Sequence, residues 1–261
     1  MKRRMHHLFA PDGNAFELAM DHASTMPSPE LDDAGRIIRL AVAAGIDAFL
    51  VPLGTLKRHA KDIGRAGAIL RADGGVTTLR LQPGPLRQLF SAEDAIFAGA
   101  DALLGMGFPG SEQNEHTLAA MARLGADCDR VGLPWGLEML PYGYEQHEDI
   151  DTRSAESVAF ACRLGTELGA DFIKTAFTGR QSFAKVTANC PVPVLILGGG
   201  RSQTDEAVLQ SVEDAMACGA KGVIMGRSIF RHPDIGAMCQ AVASIIHGGA
   251  TATDALRALK S

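Results

Sequence analysis

The sequence predicts a single-domain α/β protein, a (β/α)8 TIM barrel, and three observations lead there. A similar phrase recurs at Ala44 to Leu50 (AGIDAFL), Ala98 to Leu104 (AGADALL), Leu168 to Lys174 (LGADFIK) and Cys218 to Ile224 (CGAKGVI). In each, glycine can take the left-handed conformation that ends a helix, and the short apolar run suits a strand covered on both faces. The four glycines, Gly45, Gly99, Gly169 and Gly219, lie about two strand-plus-helix units apart, so one further strand belongs in each interval. The third observation is size, since 261 residues make one such barrel.

Taken in order, residues 1–14 are expected to pack outside the barrel, and Phe16 to Met20 form the first strand. Helix-period apolar spacing follows from Asp32 to Ala43, before the second strand at the end of AGIDAFL. The β-branched run Val76 to Leu81 is assigned as the third strand and the end of AGADALL as the fourth. A helix over Glu112 to Leu124 leads to the fifth strand, Pro134 to Leu140, and one over Thr152 to Leu168 to the sixth, ending at Lys174. Val192 to Leu197 is the seventh strand, Thr204 to Ala217 a helix, and CGAKGVI the eighth strand. Helices over Ile235 to Ile246 and Thr253 to Lys260 complete the chain.

Composition narrows the function. With 46% hydrophobic and 21% charged residues the chain can bury a full core. A net charge of -5 gives no general attraction to nucleic acid or anionic membranes, so neither is an expected partner. Cys128, Cys162, Cys190, Cys218 and Cys239 are dispersed and form neither a disulfide framework nor a CxxC zinc pattern. The basic start at Lys2, Arg3 and Arg4 does not lead into a secretory apolar core, and no run is long enough to span a bilayer. A cytoplasmic protein is expected. The eight histidines contain no HExxH or comparable pair, so no metal is expected.

Chemistry in such barrels sits where strands end, in the loops that follow. Lys174 interrupts an apolar strand, in a chain with seven lysines and eighteen arginines. An amine must shed its proton to attack a carbonyl, and a lysine between strand walls is placed for Schiff-base formation. The plainer alternative is a strand-end lysine paired with a carboxylate or reaching water. Glycine followed by arginine at two successive strand ends is the second signal: Gly198, Gly199, Gly200 and Arg201, then Gly226 and Arg227 before Ser228. Exposed amides there can cradle a phosphate, though tight turns alone would also need glycine.

Alternation along the fifth strand puts Gly136, Glu138 and Leu140 on one face, so Glu138 can move protons beside Lys174 if that face lines the lumen. A structural salt bridge with Lys174 is its alternative. Asp21 ends the first strand as a second acid, or as a turn or cap residue, with His22 beside it either contacting substrate or fixing a loop. Gly105, Gly107 and Gly110 match a GxGxxG spacing, but Phe108 and Pro109 crowd it and no ribose-binding acid follows at a strand end, so no dinucleotide cofactor is expected.

These segments together resemble the Schiff-base aldolases of the deoxyribose-phosphate and fructose-bisphosphate aldolase superfamily. The matching stretches are AMDH (Ala19 to His22), LGADFIKTAFTG (Leu168 to Gly179), PVPVLILGGG (Pro191 to Gly200) with TDE (Thr204 to Glu206), and GVIMGRSIFRHPD (Gly222 to Asp234). Within that superfamily the chain resembles the archaeal-type fructose-bisphosphate aldolases and the 2-amino-3,7-dideoxyheptulosonate synthases. The resemblance implies a metal-independent, usually oligomeric barrel enzyme. In it Lys174 forms an imine with a keto substrate, Asp21 assists near the carbonyl, and the glycine loops after the seventh and eighth strands hold phosphate.

Three positions depart from that pattern. The family's tyrosine-proline-arginine-glycine reads Leu140, Pro141, Tyr142, Gly143, so its tyrosine donor is missing from its own place. Ala23 replaces a glycine, and Gly200 with Arg201 replaces proline-lysine. LEMLPY (Leu137 to Tyr142) instead resembles the tagatose-bisphosphate and sulfofructose-phosphate aldolases, which implies an acid/base role for Glu138, with Tyr142 or Tyr144 as substitutes. The expected activity is aldol cleavage or formation on a phosphorylated keto sugar or related phosphoketose, by a homo-oligomer without cofactor. Acyl transfer on a phosphorylated diketone and non-catalytic phosphate-ligand binding are the alternatives.

Overall fold

The structure, a computed structural model, describes residues 2–79, 86–112, 114–143, 151–198 and 204–260. Eight parallel strands close on themselves: β1 (Ala15–Ala19), β2 (Ala48–Val51), β3 (Gly67–Arg71), β4 (Ala102–Gly107), β5 (Trp135–Met139), β6 (Phe172–Thr175), β7 (Val194–Leu197) and β8 (Gly222–Met225). Each pairs with the next in sequence, and β8 returns to β1. The predicted fold class is therefore borne out.

Seven of the eight predicted strands fall within a few residues of their observed places. The third does not. β3 is Gly67–Arg71, and the predicted Val76 to Leu81 departs from the wall: Leu79 is 91% exposed, and residues 80 and 81 lie outside the described ones. The physical reason is burial. Ala68, Ile69 and Leu70 are buried within the wall, whereas Val76 is only partly buried and Thr77, Thr78 and Leu79 are exposed, so their local propensity has no packing to support it as a wall strand. Before and after that loop, Asp73–Gly74 pairs antiparallel with Arg87–Gln88.

The expected helices are present over Ala34–Ala43, Asn114–Val131, Ala155–Glu167, Asp205–Ala217, Ile235–Ile246 and Ala252–Leu259. Polar residues preceding them (Asp33, Ser154, Thr204, Asp234, Thr251) cap their first turns by accepting backbone N–H groups. Further helices over Leu53–Ile63, Ala92–Phe97 and Phe183–Ala188 fill connections that the sequence pattern left unassigned.

Alternation sorts each strand into two environments. Phe16, Leu18, Phe49, Leu70, Trp135 and Ile173 pack outward beneath the helices, while Ala15, Ala19, Leu50, Ile69, Leu104, Phe172, Leu195 and Ile224 fill the lumen. Met5 and Leu8 join the lumen cluster, with Phe9 edge-on to Phe172 at 6.3 Å. The chain before β1 thus covers the N-terminal mouth. A side-chain carbon at Gly67 would lie 2.1 Å from the His7 carbonyl oxygen, so this cover needs glycine at the foot of β3.

Candidate active site

The lumen-facing positions turn from apolar to charged at the C-terminal ends of the strands. Lys174 on β6 pairs in register with Glu138 on β5, which pairs in turn with Met106 on β4. Lys174 Nζ donates to Glu138 Oε2 at 3.0 Å, and both residues are 6% exposed. The face carrying Gly136 and Glu138 therefore does line the lumen. A side-chain carbon at Gly136 would lie 2.3 Å from the Phe172 ring, so that position must stay bare for the two strands to meet.

The sequence missed a residue at the centre of this cluster. Arg71, the last residue of β3 and 7% exposed, donates through Nη1 to Glu138 Oε2 at 2.9 Å and through Nε to Asp73 Oδ1 at 2.6 Å. Its Nη1 also lies 3.2 Å from Asp21 Oδ2. Two cations and three carboxylates are thus interleaved, with no two like charges as direct partners among the contacts made. The one available signal was an arginine following three apolar residues, Ala68 to Leu70, the same break that marked Lys174.

Burial alone would push the Glu138 carboxyl up, but the charges of Lys174 and Arg71, with a hydrogen bond from each, outweigh it and hold the group down at about 2. Glu138 is therefore a carboxylate at rest. Asp73 goes the other way: burial raises it despite Arg71 and the Met106 backbone N–H. Glu17, also unnoticed in the sequence, is fully buried on β1, and neither of its oxygens has a hydrogen-bond partner among the described residues. Burial, reinforced by Asp47 and opposed by Lys174, raises it well above the usual carboxylate range.

Asp21 and His22 begin the short 3-10 turn Asp21–Ser24 that leaves β1. The His22 ring lies edge-on to Phe230, with centroids 5.5 Å apart, and its Nδ1 is 3.7 Å from Asp21 Oδ1. Burial lowers its affinity for a proton, Asp21 opposes that, and Arg227 and Lys174 add to it. Gly226 sits against this turn: a side-chain carbon there would lie 2.7 Å from both the Ala19 oxygen and His22 Cε1. One built on Gly198 would be 3.1 Å from Ser228 Oγ, so the residue that follows β7 adjoins the turn after β8. Gly199, Gly200, Arg201 and Tyr144 lie outside the described residues.

Tyr142 has φ 59° and follows Leu140 into a tight turn in which its N–H bonds the Pro109 oxygen. Its ring lies close over Gly110. The GxGxxG glycines serve packing, since side chains at Gly105 and Gly107 would meet the sulfurs of Met121 at 2.2 Å and Met139 at 2.6 Å. Among the described residues no group of three His, Cys, Asp or Glu is placed to hold a metal ion, and no helix is long and apolar enough to cross a membrane.

A closed (β/α)8 barrel with a lysine–carboxylate pair buried at the C-terminal mouth is the architecture of the imine-forming barrel lyases. Comparison with known proteins agrees. Residues 15–232 match the DeoC/LacD family aldolase pattern, and the chain belongs to that family of class I, Schiff-base-forming aldolases. It is 36% identical to the 2-amino-3,7-dideoxy-D-threo-hept-6-ulosonate synthase of Halobacterium salinarum over 94% of this chain and 91% of that protein. It is 31% identical to the class 1 fructose-bisphosphate aldolase of Thermoproteus tenax over 93% of each. A solved archaeal fructose-1,6-bisphosphate aldolase, whose catalytic lysine is covalently bound to the carbinolamine intermediate of the substrate, superposes with a TM-score of 0.85 at 27% identity, covering 94% of this chain and 98% of that one.

Proposed function

We propose that this aldolase acts on a phosphorylated keto sugar or related phosphoketose, with Lys174 as the nucleophile, Glu138 as the proton shuttle and Asp21 orienting the substrate. The observation that carries this is the 3.0 Å contact between a buried amine and a buried carboxylate, on adjacent strands at the mouth. The synthase and aldolase named above support the substrate class, and the adjoining glycine turns at Gly198 and Gly226, with Arg227, support a phosphate subsite.

Lys174 passes a proton to Glu138 and its nitrogen attacks the ketone carbon. The former carbonyl oxygen takes one proton from that nitrogen and the one held by Glu138 and leaves as water, and an iminium remains beside the restored carboxylate. The carbon–carbon bond then breaks toward the iminium, whose nitrogen takes the electron pair as an enamine, while the proton of the departing hydroxyl passes to the Glu138 carboxylate. Glu138 returns that proton to the enamine carbon, and water hydrolyses the imine to release the ketone and restore the amine. In the synthetic direction the same steps run backwards. The side chain of Asp21, already turned into the mouth by Arg71, accepts substrate hydroxyls.

The test is turnover on dihydroxyacetone phosphate with aldehydes, and on fructose, tagatose and sulfofructose phosphates, with and without coenzyme A. Expected is aldol turnover independent of coenzyme A and abolished by Lys174→Ala. Turnover only with coenzyme A would make the enzyme an acyl transferase. Ligand-induced thermal stabilisation that survives Lys174→Ala, without turnover in the parent, would make it a binder. A cytoplasmic, self-associating enzyme completes the reading. Four of the five cysteines are buried and all are free, and light scattering tests the assembly.

A further inference from the structure

Glu138 has to change its proton state more than once in each cycle, and the surroundings that let it do so extend beyond Lys174. A carboxyl buried this deeply favours its neutral form unless a cation stays beside it. Lys174 cannot be that cation throughout, because its charge disappears whenever its nitrogen is a free amine or a carbinolamine. Arg71 keeps its charge at every stage.

The geometry makes Arg71 a fixed partner. Its Nη1 bonds the same Glu138 oxygen, Oε2, that takes the proton of Lys174, at 2.9 Å against 3.0 Å. The same Nη1 lies 3.2 Å from Asp21, so one nitrogen holds both mouth carboxylates. The guanidinium is aimed from behind by Asp73, whose Oδ1 takes Nε and whose Oδ2 takes the backbone N–H of Met106. Met106 is the residue paired in register with Glu138. Arginine, clamp and shuttle are therefore referred to one point of the barrel wall. Among the described residues both hydrogen bonds to Glu138 fall on Oε2.

We propose that Arg71, locked by Asp73, is a positioning residue for the aldol reaction. It keeps the proton affinity of Glu138 low, and its carboxyl correctly turned, through the stages at which Lys174 is uncharged, so that each proton Glu138 takes is passed on, and it ties Asp21 to the same unit. Loss of Arg71 would let Glu138 stay protonated at the iminium stage, leaving no base for the departing hydroxyl or for the donor's α-proton. Imine formation needs a proton taken from Lys174 and one given to the leaving water; a Glu138 that binds its proton more tightly still does the first, and solvent entering the mouth supplies the second, so trapping would survive.

This inference rests on Lys174 and Glu138 acting as proposed above, and the test separates the two. Arg71→Met, Arg71→Lys and Asp73→Asn are compared with the parent by three readouts: borohydride trapping with dihydroxyacetone phosphate, exchange of that ketone's α-protons in deuterated water, and carboxyl titration by NMR with 13C-glutamate, the Glu138 signal being assigned by Glu138→Gln. For Arg71→Met we expect trapping at Lys174 to persist, exchange to fall at least about 100-fold, and Glu138 to titrate at least one pH unit higher. Arg71→Lys recovers part of the exchange rate, and Asp73→Asn loses less than Arg71→Met. An Arg71→Met protein with the parent's exchange rate and titration overturns the proposal, as does parallel loss of trapping and exchange in a folded variant. Should Arg71→Met fail to fold, Arg71→Lys and Asp73→Asn decide, and unchanged exchange and titration in both overturn it. A parent that gives no adduct contradicts the Lys174 reading instead, and the titration still reports on Arg71.

Discussion

The two ends of the lumen use the same alternation of inward and outward side chains and do opposite things with it. At the N-terminal end the inward positions are Ala15, Ala48, Ala102 and Phe172, sealed by Met5 and Leu8. At the C-terminal end they are Arg71, Glu138 and Lys174, charged, buried and mutually bonded. The first arrangement draws stability from removing apolar surface from water. The second gives some of that up, because buried ions regain through pairing little more than their desolvation costs. The wall fixes geometry, and each end spends it differently: the foot on packing, the mouth on holding an amine and a carboxylate within one proton's reach.

On this division, changes at the mouth should remove activity at little cost in stability, and changes at the foot should do the reverse. The largest effect belongs to Lys174→Met, expected to lower kcat by more than about 10^4-fold with the far-ultraviolet circular dichroism spectrum retained. Melting well below the parent would mean that the pair is structural. Glu138→Gln comes next, with kcat reduced about 10^2- to 10^4-fold. Rapid-quench turnover at normal rate in that variant would remove the shuttle.

Leu8→Ala, at the other end, should cost about 2–5 kcal/mol by denaturant unfolding and leave kcat near the parent's value. A large kcat loss without destabilisation would show that the ends are not separable.

The smallest effect concerns His247, which lies at the N-terminal side between Asp47 at 3.0 Å and Asp12 at 2.8 Å. The hydrogen bond to Asp47 comes first among the causes that raise it to about 9, against partial burial and with Asp12 adding to it. A group raised on folding contributes its stabilisation fully below its unfolded value, near 6.5, and loses it as pH rises through the folded value. The stability difference between the parent and His247→Gln should therefore be greatest below about pH 6.5 and fade toward pH 9. A difference that grows with pH in urea titrations would contradict the assignment.

Most of the barrel was legible because a buried parallel strand must be a short apolar run, and the glycine that ends a helix announces it. The same rule found Lys174 and Glu138, since a charge in such a run stands out and alternation tells which way it faces. Arg71 was lost through one misplaced strand. With Val76 to Leu81 taken as wall, Arg71 and Asp73 fell into a connection, although Ala68 to Leu70 carry the apolar signature. Their partners also lie far along the chain, 67 residues away for Glu138 and 33 for Met106, so only strand register brings them together. Glu17 was missed for a related reason: Phe16 to Met20 read as strand whether or not its one acid faced the lumen.

The most direct measurement is peptide mass spectrometry after borohydride reduction with dihydroxyacetone phosphate. The account expects a single reduced adduct on Lys174, formed in the parent and also in Leu8→Ala. Reduction that marks another lysine, or leaves the peptide containing Lys174 unmodified while the enzyme turns over, would contradict it.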